Sequence, residues 1–329
     1  MGRVLTADTN AGKIGLMIAA ILLFAAVVGI ILFIATLFRG RLADRFTAYI
    51  YLAPTLIMLA VGLVYPGVRT IYQSFFNAAG DAFIGLGNYE TIFTDSEQLT
   101  VLRNTVIWVV LTPFVATAIG MLYAILVDKT KFESFAKALV FLPMAISFVG
   151  ASIIWSFVYA YRPDQANVKQ IGLLNQVVVW LGGTPQQWLL TDWLNTFLLI
   201  VVLIWIQAGF AMTVLSAAIK AIPEDIIEAA RLDGVGPWGM FRFVTLPAIR
   251  PAVVVVLTTI AIGTLKVFDI VRTMTGGQFN TSVIANEFYS QSFRSDNQGL
   301  GAALAVLLFI LVIPIVVYNI RQLKQSEAL

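Results

Sequence analysis

The side chains that carry most enzyme chemistry are absent or isolated in this sequence. The chain of 329 residues holds no histidine and no cysteine. That removes the commonest general base, the commonest metal ligand and every thiolate site. Glu228 lies in the densest charge of the C-terminal half, but no histidine, metal cluster or suitably spaced second carboxylate equips it for acid–base work. Gly12-Lys13 is the nearest approach to a nucleotide-binding P-loop. A P-loop needs glycine at 7 and Ser or Thr at 14, where the chain has Ala7 and Ile14. No ATP site, cofactor or metal is therefore expected, and the chain is read as non-catalytic.

What remains are polar groups set in apolar surroundings. Lys266 and Asp269 stand three apart, so on one helix they share a face and can pair. Counted from Arg250, Lys266 lies roughly 24 Å along a helix. An ionisable group at that depth faces a cavity or a partner, or snorkels outward. Gln207 sits roughly 20 Å before Lys220 on the same scale, with Phe210 one turn on. Its amide suits either an interhelical hydrogen bond or, beside an aromatic ring, a sugar whose hydroxyls bond while its C–H face stacks.

The elements that hold these groups follow from composition. The chain is 59% hydrophobic and 12% charged, far too apolar for a soluble domain of this length. Apolar runs, most of them uncharged, predict membrane-spanning helices near 14–38, 48–66 (continuing helically to about 77), 104–127, 138–160, 193–219, 248–270 and 299–320. The fold class is an all-α polytopic membrane protein with about seven spans. Loop 161–192, with Pro163, Gly182-Gly183 and Pro185, is placed along the interface. Trp155, Trp188 and Trp193 read as interface anchors.

Basic residues orient the spans. One set of loops holds Arg39, Arg41 and Arg45; Lys129, Lys131 and Lys137; Lys220, Arg231, Arg242 and Arg250; Arg321 and Lys324. The opposite set holds Arg3, Lys13, Arg103, Arg162, Lys169, Arg272 and Arg294, with acids beside several. The richer, shorter loops are assigned to the cytoplasm, which puts the N-terminus outside. The net charge of +3 fits such loops rather than a nucleic-acid surface.

Between the fifth and sixth spans runs Ala221-Ile222-Pro223-Glu224-Asp225-Ile226-Ile227-Glu228-Ala229-Ala230-Arg231-Leu232-Asp233-Gly234. Pro223 suits the first helical turn, the acids suit the positive end of the dipole, and Gly234 suits the C′ stop. Gly236-Pro237 can start a second helix, ended by Leu246-Pro247. On physics alone this is an amphipathic connector held at a membrane surface. Glu228-Ala229-Ala230, Gly234 and Leu246-Pro247 nevertheless resemble the EAA loop of ABC-importer permeases. The surrounding pieces match the maltose-type sugar permeases in order and spacing. They are Phe83-Ile84-Gly85-Leu86-Gly87-Asn88-Tyr89, Asn104-Thr105, Phe141-Leu142-Pro143, Ile154-Trp155, Gly172-Leu173-Leu174-Asn175, Val267-Phe268-Asp269 and Thr275-Gly276-Gly277. The match covers roughly residues 48–320.

The resemblance implies a type I ABC-importer transmembrane fold. It divides the chain into an extra N-terminal anchor, 1–45, and a permease domain, 46–329, with a coupling loop at 221–247. It implies a second homologous permease subunit, a cytoplasmic ATP-binding-cassette ATPase dimer and an extracytoplasmic solute-binding protein as partners, within cell-membrane lipid. Glu228, Ala229, Ala230, Asp233 and Gly234 would meet the ATPase. Leu203, Ile206, Gln207, Phe210, Gly263 and Lys266, with Met144 and Phe148, would line the sugar path. An α-glucoside or malto-oligosaccharide is the first substrate class; glycerol phosphate is the alternative, because Lys266 can serve an anion. A seven-span retinal-type receptor is disfavoured, since residues 299–320 hold no lysine. An integral membrane enzyme is disfavoured by the missing histidine and cysteine.

Overall fold

A computed structural model describes residues 10–36, 43–128, 130–163 and 170–326. Arg3, Arg39, Arg41, Lys129 and Lys169, counted above for orientation, lie outside the described residues. The chain forms two compact units, 1–69 and 70–329. The first holds α1 (Asn10–Thr36) and α2 (Ala43–Leu59), followed by a π-helical turn, Ala60–Val64. Helix α3 (Tyr65–Gln73) carries the chain across the boundary into the second unit. The most apolar windows here, Lys13–Ile30 and Tyr51–Gln73, bury none of their residues against protein. Side chains such as Phe24, Leu56 and Met58 stand exposed. Such a surface is stable when lipid or another chain covers it.

The second unit continues with α4 (Gly87–Thr94), α5 (Ser96–Val127), α6 (Glu133–Phe141), α7 (Phe148–Val158), α8 (Leu173–Trp180) and α9 (Leu194–Lys220). Then come α10 (Glu224–Leu232), the one-turn α11 (Pro237–Gly239), a π-helical segment (Met240–Thr245) and α12 (Leu246–Ala248). Last are α13 (Arg250–Leu265), α14 (Asp269–Met274), α15 (Ile284–Phe293) and α16 (Gln298–Ser326). The core forms where α5 and α9 pack together, with α13 against both. Trp108, Leu199, Ile200, Met212, Leu215 and Ile260 are buried there. Gly120 allows the close approach: a Cβ on it would stand 2.6 Å from the Ala211 Cβ. Small residues at a helix crossing do this in membranes, where dispersion between close backbones replaces the hydrophobic drive.

Among the described residues, five helices are long and apolar enough to cross a membrane, or up to seven if each of two bent pairs is one span. The expectation of about seven spans is met only on the second count. The predicted fourth span, 138–160, is two pieces, Glu133–Ala145 and Phe148–Val158, bent by 105°. Pro143 sits in a 3₁₀ turn, Leu142–Ala145, and Ser147 caps α7 by accepting the Gly150 N–H at 3.1 Å. A 70° bend at Ile249, where the predicted sixth span, 248–270, begins, separates the Pro237–Ala248 stretch from α13. The second loop helix stops at Ala248, one residue past Leu246-Pro247. Pro247 lies in the first turn of α12, and the chain breaks after Ala248, before Pro251 opens α13. The third span begins earlier than predicted, because the Asp95 carboxylate accepts the N–H groups of Glu97 and Gln98 and starts α5 there.

Candidate functional site

The 221–249 segment is built as a short exposed helix with a hard stop. Pro223 precedes α10 as its N-cap, φ −55° and ψ 136°, one residue before the position predicted for it. Glu224 and Asp225 lie at the positive end of α10 and Arg231 in its last turn, which suits the dipole. At the other end the Gly234 N–H donates to Arg231 O at 3.0 Å and the Val235 N–H to Ala230 O at 3.1 Å. Gly234 has φ +76°, so the two bonds form the left-handed C′ turn expected from the sequence. A Cβ on Gly234 would meet nothing within 4 Å, so the demand for glycine is purely one of backbone. Glu228, Ala229, Asp233 and Gly234 are exposed, and Ala230 is half-buried. Leu232 is 89% exposed and Trp238 69%. Apolar side chains so bare on a charged loop mark a surface made to be covered.

Beneath this loop, three helix ends meet in a polar cluster that the sequence reading missed. Asp128 caps the end of α5. Lys137 donates to Asp128, to Glu133 Oε1 at 2.8 Å and to Ser216 Oγ on α9. The Ser216 hydroxyl donates to Asp128 Oδ1 at 2.8 Å, and Lys220 pairs with Glu133. Asp128 is only 8% exposed, so its charge is held by these partners rather than by water. Asp128 and Arg231 both line a cleft of about 390 Å³ between the cluster and the loop. From the sequence Lys137 is one of several basic residues flanking a span. Its i, i+4 spacing from Glu133 was the visible signal.

The predicted path residues fall into three groups. Gln207 lies at the midpoint of α9 and is half-buried, as is Phe210. The Gln207 amide makes no hydrogen bond among the described residues, so the interhelical bond is not formed among them. Leu203 and Ile206, 2% and 4% exposed, point into the core instead. They back Gln207 and present no open surface in this structure. Met144 lies in the 3₁₀ turn and Phe148 opens α7, one on each side of the fourth-span break. Gly263 and Lys266 are exposed at the end of α13. The elements bearing these groups are neighbours: α9 packs on the 142–145 turn and on α13, and α14 packs on α7.

Lys266 and Asp269 do not share a helix. α13 stops at Leu265, and the N–H groups of Lys266 and Val267 donate to Gly263 O and Thr264 O, tightening the last turn. Asp269 starts α14, and the two charges make no ion pair. Trp155 and Trp188 are not free interface anchors. Trp155 stacks edge-on to Trp205 at 5.7 Å, and the Trp188 Nε1–H donates to Asn175 Oδ1 at 2.9 Å. Trp193 is exposed but strained, at φ 67° and ψ −50°. It is held in a γ-turn by Leu194 N–H to Asp192 O at 2.8 Å and lies under the Arg103 guanidinium at 3.9 Å.

At the end away from the 221–249 loop, buried asparagines fasten the connections. Asn88 donates to Ser74 O and Phe76 O, at 2.8 and 2.7 Å. Asn104 donates to Asn280 O and Ser282 O, at 2.6 and 3.0 Å. Asn195 donates to Phe279 O at 2.7 Å. Asn175 donates to Ala160 O and Gln186 O and accepts the Gln186 N–H and the Trp188 indole. Thr105 accepts the Ile284 N–H at 3.0 Å. Asn88, Asn104, Thr105 and Asn175 all belong to the short motifs quoted above. Their physical role is to satisfy loop backbone that water cannot reach.

Residues 99–324 match the family described as binding-protein-dependent transport system inner membrane component. The chain is 48% identical over 279 residues to the osmoprotective compounds uptake permease protein of Synechocystis sp., covering 85% of this chain and 99% of that one. It is 46% identical over 288 residues to the alpha-glucoside transport system permease protein of Rhizobium meliloti, covering 87% and 85%. Its fold is similar to that of a bacterial ABC transporter involved in the import of alginate, with TM-score 0.72 and 22% identity. That likeness covers 86% of this chain and 96% of that one.

Proposed function

Because the chain belongs to the binding-protein-dependent transport system inner membrane component family, we propose that it works as one membrane-spanning permease subunit of an ATP-driven sugar importer. In this reading the N-terminus is outside and the 221–249 loop is cytoplasmic. A separate ATPase dimer hydrolyses ATP and grips α10 through Glu228, Ala229, Ala230, Asp233 and Gly234. An extracytoplasmic binding protein delivers the sugar, and a second, homologous permease subunit completes the path. The chain catalyses nothing; it conducts sugar and relays motion. The exposed α10 with its glycine-enforced stop supports the docking role, as do the bare Leu232 and Trp238.

The observation that carries the path is Gln207. It is a half-buried amide at the middle of a 27-residue apolar helix, with no hydrogen-bond partner among the described residues. Such a group is costly in a membrane unless a ligand, water or another subunit satisfies it. Phe210 on the same face offers a ring for a sugar's C–H surface. Met144, Phe148 and Gly263 adjoin this path, with Leu203 and Ile206 as its backing. An α-glucoside is the favoured cargo, in keeping with the relative named for alpha-glucoside transport. A glycerol phosphate is the second reading, favoured by one observation: Lys266 is exposed and unpaired with Asp269.

The test is uptake into vesicles holding the assembled complex. Labelled maltose or trehalose entering only with ATP and binding protein present supports the first reading. Entry of glycerol phosphate instead, lost in Lys266→Gln, supports the second. Entry independent of ATP refutes both.

A further inference from the structure

Helix α6 is fastened to α9 at two levels. At its start, Lys137 ties Asp128 of the α5 end, Glu133 of α6 itself and Ser216 of α9 together, while Lys220 of α9 pairs with Glu133. Farther along, the α6 backbone lies against Gly209, where a Cβ would stand 2.4 Å from Val140 O. Helix α6 therefore cannot slide along α9 without parting ion pairs and opening a backbone contact. Only Ala221, Ile222 and Pro223 separate α9 from α10. At its other end α6 runs directly into the 142–145 turn and the 105° bend before Phe148.

We propose that Asp128, Glu133, Lys137, Ser216 and Lys220 form the joint through which displacement of α10 reaches the broken fourth span. The proposal rests on the importer reading. A push on α10 moves the C-terminal part of α9, and the cluster carries α6 with it. The Ile146–Ser147 break then takes up the rotation, which shifts Met144 relative to Phe148. The five side chains are positioning residues; none of them touches sugar.

The double variant Ser216→Ala with Lys220→Met removes both side-chain ties from α9. It leaves Lys137 its two carboxylates, so no buried charge is stranded. In the reconstituted complex, assembly and binding-protein-stimulated ATP hydrolysis stay at the wild-type level, while sugar moved per ATP falls about fivefold or more. An unchanged ratio overturns the proposal, and so does a parallel loss of assembly, hydrolysis and uptake. A second measurement avoids destabilising the cluster. Ser134→Cys and Ala217→Cys, which flank the groove between α6 and α9 in a chain free of cysteine, are bridged by a short bis-maleimide. Transport persists if the two helices move as one body; hydrolysis without transport after bridging overturns the joint. If the wild-type complex shows no binding-protein-dependent uptake, it is the importer reading that fails.

Discussion

The two ends of the 70–329 unit differ in the bonds that tie their connections. At the loop-rich end, neutral side-chain amides donate to backbone carbonyls, as Asn88, Asn104, Asn175 and Asn195 do, beside a smaller side-chain network in which Gln98, Ser282 and Gln291 donate to the Glu287 carboxylate. At the α10 end, charged and hydroxyl side chains bond each other across three helices. A side chain locked onto backbone fixes one geometry, because the buried carbonyls have no other donor. Side chains bonded to side chains can shift together with the helices that bear them. The first arrangement suits a rigid rim; the second suits a joint. The same chain thus offers a fixed face where cargo would arrive and a movable one where force would be applied.

The contrast is broken most directly at Asn175. Asn175→Leu deletes four hydrogen bonds and leaves Ala160 O, Gln186 O, the Gln186 N–H and the Trp188 indole without it. We expect a loss of about 3 kcal/mol or more, read as a fall in the thermal midpoint of the purified subunit. An unchanged midpoint would show that the amide ties do not hold the rim. Between the two ends, Gln207→Leu removes no hydrogen bond among the described residues. Transport should fall about tenfold, the worth of one hydrogen bond to a ligand, with assembly untouched. A fall in assembly with transport per complex unchanged would make Gln207 a contact to the partner subunit. Lys220→Met alone should matter least for stability. Lys220 is half-exposed, and such a pair is worth less than about 1 kcal/mol. A loss as large as that of Asn175→Leu would erase the difference between the ends.

Much of this layout is legible in the sequence where composition or turn chemistry is strong. The long apolar runs mark α1, α5, α9 and α16, and Gly234 marks its own turn, since only a left-handed stop satisfies the last carbonyls of α10. The bend in the fourth span is legible only in hindsight. Pro143 announces irregular backbone, yet the apolar pattern runs through the 146–147 break, whereas Pro247, Arg250 and Pro251 mark the break at Ile249. The stop after Leu265 is hidden more deeply, because Val267-Phe268 prolong the apolar run and no proline intervenes. The asparagine ties could be seen as motif letters but not as bonds. Asn104 meets Asn280 and Ser282 only after α5 and the 275–283 loop have come together. Ser216 and Asp128 are likewise joined by packing rather than by spacing.

The central claim is that the α10 loop transmits force to the transport path rather than merely connecting two spans. Gly234→Val puts a β-branched residue at φ +76°, where no neighbouring atom interferes but the backbone itself resists. Ala229→Leu adds bulk at an exposed position without disturbing the subunit's own packing. The decisive measurement is co-purification of the ATPase with each variant, followed by binding-protein-stimulated ATP hydrolysis and sugar uptake in the same vesicles. The account predicts that both variants remain in the membrane but lose the ATPase or its coupling to uptake. Wild-type hydrolysis and wild-type uptake in both would contradict it.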